Sequence, residues 1–276
     1  MRAVLPGRLD AAMDALAGDP GLVPLAGGTD LLVHWPVRTT ARDADYLDLT
    51  GLDELRPIRW EEGTLVLGAL STYWDAIVDP RIRSELPLLI DAARQVGAVQ
   101  IQSRGTWAGN VINGSPAADG VPVLMAYGAT VVLASTAGRR EVPLDAFYTG
   151  YRETVRRPDE LVVEIRVPRG ERPFEAFVKV GPRRAQSIAK VGLAMARDEA
   201  GWRVAVASVA PVVKRCPAVE TLLDGGGPLA GPEDLQTAFR QDVAPIDDLR
   251  STAEYRERVL ARVAWHALRD GGAIPD

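Results

Sequence analysis

Two stretches of the chain concentrate the small and polar residues from which a phosphate or sugar site is built. The first is Ala26-Gly27-Gly28-Thr29-Asp30, directly after a short strand-like run. Adjacent glycines there let backbone N–H groups converge on an anion with no Cβ in the way. The same pair also serves as a plain tight turn, so two readings stand. No third glycine completes a GxGxxG fingerprint, and the standard dinucleotide-binding reading fails.

The second stretch places Gly105, Thr106, Gly109, Asn110, Asn113, Gly114, Ser115 and Asp119 within 15 residues. Its hydroxyls and amides can donate to a phosphate or sugar, and Asp119 can accept. As plain structure it reads as a solvated loop in which Ser115 caps a helix and Pro116 opens it. The two readings are compatible, because a helix start is itself an anion site.

Other reactive residue types are sparse. His34 follows the first loop with no carboxylate partner at motif spacing and reads as a packing residue, as does His266 in the last helix. Cys216 is the only cysteine. It precedes Pro217, has no neighbouring histidine and reads as an inert thiol. One cysteine and two histidines cannot furnish a disulfide, an iron–sulfur cluster or a catalytic metal site, so redox chemistry here needs an organic cofactor. Lys179, Arg183 and Arg184 form a small basic cluster, while Arg156, Arg157, Arg166 and Arg169 read as surface.

The elements that must position these residues follow from periodicity. Leu9, Ala12, Met13 and Leu16 predict a helix, 22–25 a strand before the first loop, and 46–49 another strand. The alternation over 64–71 predicts a strand and 75–96 a helical span with a start or break at Pro87. Beyond the second loop, 121–127 reads as helix, TVVLAS and ELVVEIRVP as strands. The cluster of Pro168, Gly170 and Pro173 marks a domain boundary. After it, FEAFVKVG reads as strand, SIAKVGLAMAR as helix, WRVAVASVAP as strand and 253–268 as a charged helix.

A length of 276 residues accommodates about two domains. A net charge of −5 without any Lys/Arg run argues against nucleic acid. No stretch approaches the length of a membrane span, and the N-terminus lacks a signal-peptide core, so a cytoplasmic location is expected.

PLAGGTDLL, RGTWAGNVINGSPAAD, GATVVLAS and DELVVEIRVP occur in an order and spacing that resemble the FAD-binding medium subunit of the xanthine dehydrogenase and carbon monoxide dehydrogenase family, the molybdenum hydroxylases. FEAFVKVGPRRAQSIAKVGLAM, ASVAPVVKRCPAVE and STAEYRERVL extend the resemblance over nearly the whole chain. It implies an α+β protein: a PCMH/VAO-type FAD-binding domain over 1–170, made of two α/β subdomains (about 1–55 and 56–170), then a smaller α+β domain over 171–276.

By the same resemblance Leu25, Ala26, Gly27, Gly28, Thr29, Asp30, Leu31 and Leu32 wrap the pyrophosphate of FAD. Thr106, Trp107, Ala108, Gly109 and Asn110 form the second cofactor loop, and Asp119 bonds a sugar or phosphate-side group. Leu161 or Val162 lies against the adenine or isoalloxazine, and Lys179 and Ile188 border the flavin. Trp107 either shields the flavin or covers the loop. The family's second loop commonly reads Thr-Ile-Gly-Gly-Asn. Ala108 replaces its first glycine, so the loop is either displaced, with weaker FAD retention, or already at negative φ.

The implied activity is an oxidoreductase subunit with no catalytic side chain of its own. It takes electrons from the [2Fe–2S] clusters of a partner subunit and passes them to an external acceptor such as NAD, oxygen or a quinone. A third, molybdenum-cofactor subunit oxidises the substrate, and the assembly is a dimer of heterotrimers. A stand-alone FAD oxidoreductase and a flavin-less scaffold are the competing readings. The absence of a cysteine-rich insertion excludes the extra cluster that some relatives carry in this subunit.

Overall fold

The computed structural model describes residues 2–34, 44–184 and 186–274. Three short parallel strands, β1 (Ala3–Val4), β2 (Val23–Leu25) and β3 (Tyr46–Asp48), pair in the order β1-β3-β2. Parallel strands need a crossover, and helix α1 (Leu9–Gly18) supplies it between β1 and β2, the strands that flank β3, burying Leu9, Ala12 and Leu16. Helix α2 (Thr29–His34) follows β2 through the first glycine loop. The side chain of His34, and residues 35–43 after it, lie outside the described residues.

A five-stranded antiparallel sheet comes next, β4 (Ile58–Glu61), β5 (Thr64–Gly68), β6 (Thr130–Ser135), β7 (Gly138–Pro143) and β10 (Leu161–Pro168), in the order β4-β5-β10-β6-β7. A two-stranded hairpin, β8 (Tyr148–Gly150) and β9 (Glu153–Thr154), stands beside it. The central place of β10 explains why its sequence is nearly continuous in apolar residues.

Six short helices connect β5 to β6: α3 (Tyr73–Val78), α4 (Pro80–Glu85), α5 (Pro87–Gln95), α6 (Val99–Gln102), α7 (Trp107–Ile112) and α8 (Gly120–Ala126). The helical span expected over 75–96 is therefore three helices, because Pro80 as well as Pro87 opens a new one. Asp79 caps α4, accepting from the amides of Arg81 and Ile82 at 2.8 and 3.1 Å.

The remaining residues form an antiparallel sheet, β11 (Phe174–Val180), β12 (Val191–Asp198), β13 (Gly201–Ala207) and β14 (Lys214–Arg215), followed by α9 (Pro217–Asp224), α10 (Pro232–Asp242) and α11 (Ala253–Asp270). SIAKVGLAMAR is not helical, since Val191–Asp198 is a strand between β11 and β13. Both of its faces are covered, which removes the polar alternation that marks a half-buried strand. Val191, Leu193 and Met195 enter the core shared with α9 to α11, whereas Ala194 and Ala196 join the core of the first half. Ala205 and Ala207 of β13 join that core too, so a patch of alanines lies beneath α8. Among the described residues no helix is long and apolar enough to cross a membrane.

Candidate functional site

The two glycine loops, 77 positions apart, meet backbone to backbone. A Cβ on Gly27 would stand 1.9 Å from the carbonyl oxygen of Arg104 and 3.2 Å from the Cα of Gly105. Gly28 adopts φ +70°, a conformation suited to glycine. Side chains reinforce the junction: Arg104 Nε donates to the Gly27 carbonyl at 3.4 Å, and Asn113 Nδ2 donates to Asp30 Oδ1 at 3.2 Å. A cavity of about 600 Å³ opens beside it, lined by Leu25, Gly27, Gly28, Leu32, Asp48 and Arg104 among others. The amides of Gly27, Gly28 and Thr29 meet no protein acceptor among the described residues.

In the second loop Thr106 is spent on structure. It caps α7, its Oγ1 accepting from Gly109 N–H at 2.9 Å. Trp107 settles in the core, fully buried, with its ring 4.7 Å from that of Tyr73. It covers the loop from within. Trp107 Nε1, Tyr73 Oη and Asn110 Oδ1 are buried without a protein partner, an unusual concentration of unsatisfied groups. Ser115 does not cap a helix: its Oγ accepts from Ala117 N–H at 3.3 Å in a local turn, and α8 begins only after Asp119. Pro116 thus lies in that turn and opens no helix.

Ala108 occupies the first turn of α7, with φ on the ordinary negative side. Of the two conformations open to it in the sequence, this is the undistorted one. Ala108→Gly is therefore expected to lower stability by about 0.5–1 kcal/mol, the cost of glycine in a helix. It should leave FAD retention unimproved. Urea unfolding alongside a flavin titration checks both.

Asp119 and Lys179 bring the two halves of the chain together. Lys179 Nζ donates to Asp119 Oδ2 at 2.6 Å and to the carbonyl of Gln95 at 2.9 Å, and its side chain is only 5% exposed. Burial pushes the Asp119 carboxyl up to about 6, with the Lys179 charge and hydrogen bond pulling the other way. A folded-state value above the ordinary 3.8 means that protons favour the fold. Stability from this group is then greatest below about 4, falls as pH rises toward 6, and levels off beyond it. The parent chain should lose unfolding free energy across that window, and Asp119→Asn should not; urea midpoints at pH 4 and 6.5 compare them.

Burial, and behind it the Asp119 charge, pushes the Tyr73 phenol well above its ordinary value. Lys179, Gln95, Arg183, Arg184 and Ser187 line a second cavity of about 350 Å³. Ile188, the residue after Ser187, is exposed. Leu161 and Val162 are buried on β10, and both side chains belong to the core.

The remaining sequence candidates are ordinary. Cys216 is a free, buried thiol whose pKa burial drives up, which makes it a poor nucleophile. Arg166 and Arg169, read as surface, are partly buried partners of Glu61 and Glu85. Arg156 donates to the Glu160 carbonyl at 2.7 Å. Tyr73, Gln95 and Arg104 escaped notice because nothing in their local spacing signals a role. For Arg104 the neighbouring Gly105 was the available hint. No group of three or more potential metal ligands occurs among the described residues.

Comparison with known proteins adds the family. Residues 1–170 match the FAD binding domain in molybdopterin dehydrogenase, and residues 176–270 match the CO dehydrogenase flavoprotein C-terminal domain. The carbon monoxide dehydrogenase medium chain of Hydrogenophaga pseudoflava is 32% identical over 271 residues, spanning 95% of this chain and 92% of that one. The xanthine dehydrogenase FAD-binding subunit of Escherichia coli O157:H7 gives the same identity and coverage. Among solved structures, the H. pseudoflava carbon monoxide dehydrogenase superposes with a TM-score of 0.90 at 31% identity, covering 99% of this chain and 97% of that one. Quinoline 2-oxidoreductase from Pseudomonas putida 86, at 22% identity and a TM-score of 0.88 over 100% and 98% of the two chains, shares the fold. With an α+β fold of the PCMH/VAO type, the chain belongs to the FAD-binding medium-subunit family of the xanthine and carbon monoxide dehydrogenases.

Proposed function

We propose that the joined glycine loops hold the pyrophosphate of FAD, and that the chain relays electrons from [2Fe–2S] clusters on a partner subunit to an external acceptor. The observation that carries this reading is the contact of Gly27 with Arg104 and Gly105, a backbone-to-backbone approach that leaves no room for a Cβ at Gly27 and joins the two loops into one surface. The residues present fit the group. Gly27 and Gly28, whose amides meet no protein acceptor among the described residues, line the cavity, and Asn110 Oδ1 is left for a hydroxyl or amide donor.

In this reading residues 25–32 and 106–110 wrap the diphosphate, mostly through main chain. Asp119 accepts from a sugar hydroxyl. Leu161 or Val162 lies against the adenine or the isoalloxazine, and Lys179 and Ile188 border the flavin from the C-terminal domain, 171–276. FAD, when bound, accepts single electrons and delivers them as a pair. The protein's part is orientation, charge and exclusion of water, which asks for no nucleophile or acid–base pair. The family places the chain in a molybdenum-hydroxylase-type complex. We assign it an iron–sulfur and a molybdenum subunit as partners, in a dimer of heterotrimers, with NAD, oxygen or a quinone as acceptor.

A visible spectrum of the purified chain, before and after adding FAD, tests the reading. Stoichiometric flavin, released on denaturation and bleached by dithionite, is expected. A chain that stays colourless in excess FAD, alone and with its partner subunits, would be a scaffold, and the loop assignments would fall.

A further inference from the structure

Ser208, one residue past β13, holds a backbone conformation that side chains avoid: φ is +66°, and the residue is 5% exposed. Such strain persists where surrounding bonds over-determine it, and here they do. Its N–H donates to the Pro116 carbonyl at 2.7 Å, in the turn that leads to Asp119. Its Oγ donates to the Ala189 carbonyl at 2.9 Å, at the foot of the 181–190 connection between β11 and β12. Its own carbonyl accepts from Arg256 at 2.6 Å, and Arg256, itself buried on α11, is held by Asp248 at 2.6 Å.

The connection above Ala189 is bonded to itself. Ser187 Oγ donates to the Arg183 carbonyl at 3.0 Å, and the Arg183 guanidinium donates to the Gln186 carbonyl at 2.6 Å. These bonds tie residues 183, 186 and 187 to one another, and the Ser208 hydroxyl is an anchor on the descending side, at Ala189. Lys179 stands near the other foot of the same connection, with Asp119 across from it.

We propose that Ser208 is a positioning residue. By tying the Pro116 turn and the 181–190 connection to one rigid point, it sets the gap in which the Asp119–Lys179 pair and Ile188 face the cofactor. The inference rests on the FAD reading for what fills the gap, and on geometry alone for the tie.

Two variants of the full chain test it. Ser208→Gly and Ser208→Ala both remove the hydroxyl, but only glycine takes φ +66° without strain. Tryptic cleavage at Arg183 and Arg184, followed by mass spectrometry without added flavin, reads the restraint. FAD dissociation and the visible circular dichroism of bound flavin read the positioning. Both variants should be cut about three- to tenfold faster and bind FAD about three- to tenfold more weakly, the scale of one hydrogen bond, with an altered dichroism band.

Unchanged cleavage in both variants would overturn the tie. Faster cleavage with unchanged FAD affinity and dichroism would reduce it to a structural bond and overturn the positioning role. If only the alanine variant changed, backbone strain and not the hydroxyl would be the cause, and the proposal would fail. A parent chain that binds no FAD defeats the FAD reading instead, and the cleavage comparison still decides the tie.

Discussion

Gly27→Ala is expected to purify without flavin, its FAD affinity lowered by about a hundredfold or more, the scale attached to an ångström-sized misplacement in a preorganised site. The reason is steric and local. The new methyl would lie 1.9 Å from Arg104 O and 2.7 Å from Arg104 C, and both are backbone atoms that cannot swing aside. The loops must part, and the surface they form opens. Gly28→Ala is the control: its Cβ would meet only the end of Leu25 at 3.4 Å, so the burden is the φ of +70°, worth about 1–2 kcal/mol. Flavin-to-protein absorbance ratios separate the two. A Gly27→Ala chain that retained stoichiometric FAD would show that the loop contact is irrelevant to the cofactor.

The second large effect concerns the pair that spans the two halves. Lys179→Met leaves a mostly buried Asp119 carboxylate without its cation and should cost about 3–5 kcal/mol in urea unfolding at pH 7, because a buried charge without a partner is far worse than a neutral pair. Asp119→Asn should cost much less, since it removes a carboxyl whose charge burial penalises and leaves Lys179 its bond to the Gln95 carbonyl. The double variant Asp119→Asn/Lys179→Met should recover most of the loss. Additive single costs would mean that the two groups do not act as a pair. FAD affinity should fall in all three, since the double variant restores stability and not the hydrogen-bonding groups.

Much of this was legible in the residues. The first helix, the strand before Gly27, and both glycine loops carry local signals, namely 3.6-residue spacing and turn chemistry. What stayed hidden depends on neighbours distant in sequence. Val191–Asp198 looks helical because alanines on one face and large apolar residues on the other leave no polar position to reveal the period of two. The role of Thr106 as a helix cap, and of Trp107 as a core residue, is decided by where α7 starts. That the two loops touch at all is a tertiary fact: the glycines announce that something must approach closely, and the partner turned out to be another piece of backbone.

The ion pair between Asp119 and Lys179 also fixes an order of events during synthesis. Both glycine loops, with every residue up to Asp119, are made at least 60 residues before Lys179, the separation of the two paired residues. The alanine patch of Ala194, Ala196, Ala205 and Ala207 that closes over α8 is translated later still. A nascent chain therefore displays the joined glycine loops while the wall that carries Lys179 and Ile188 does not yet exist. If those loops hold FAD as proposed, a chain truncated near residue 170, which keeps the loops yet lacks that wall, is expected to retain flavin less firmly than the full 276 residues.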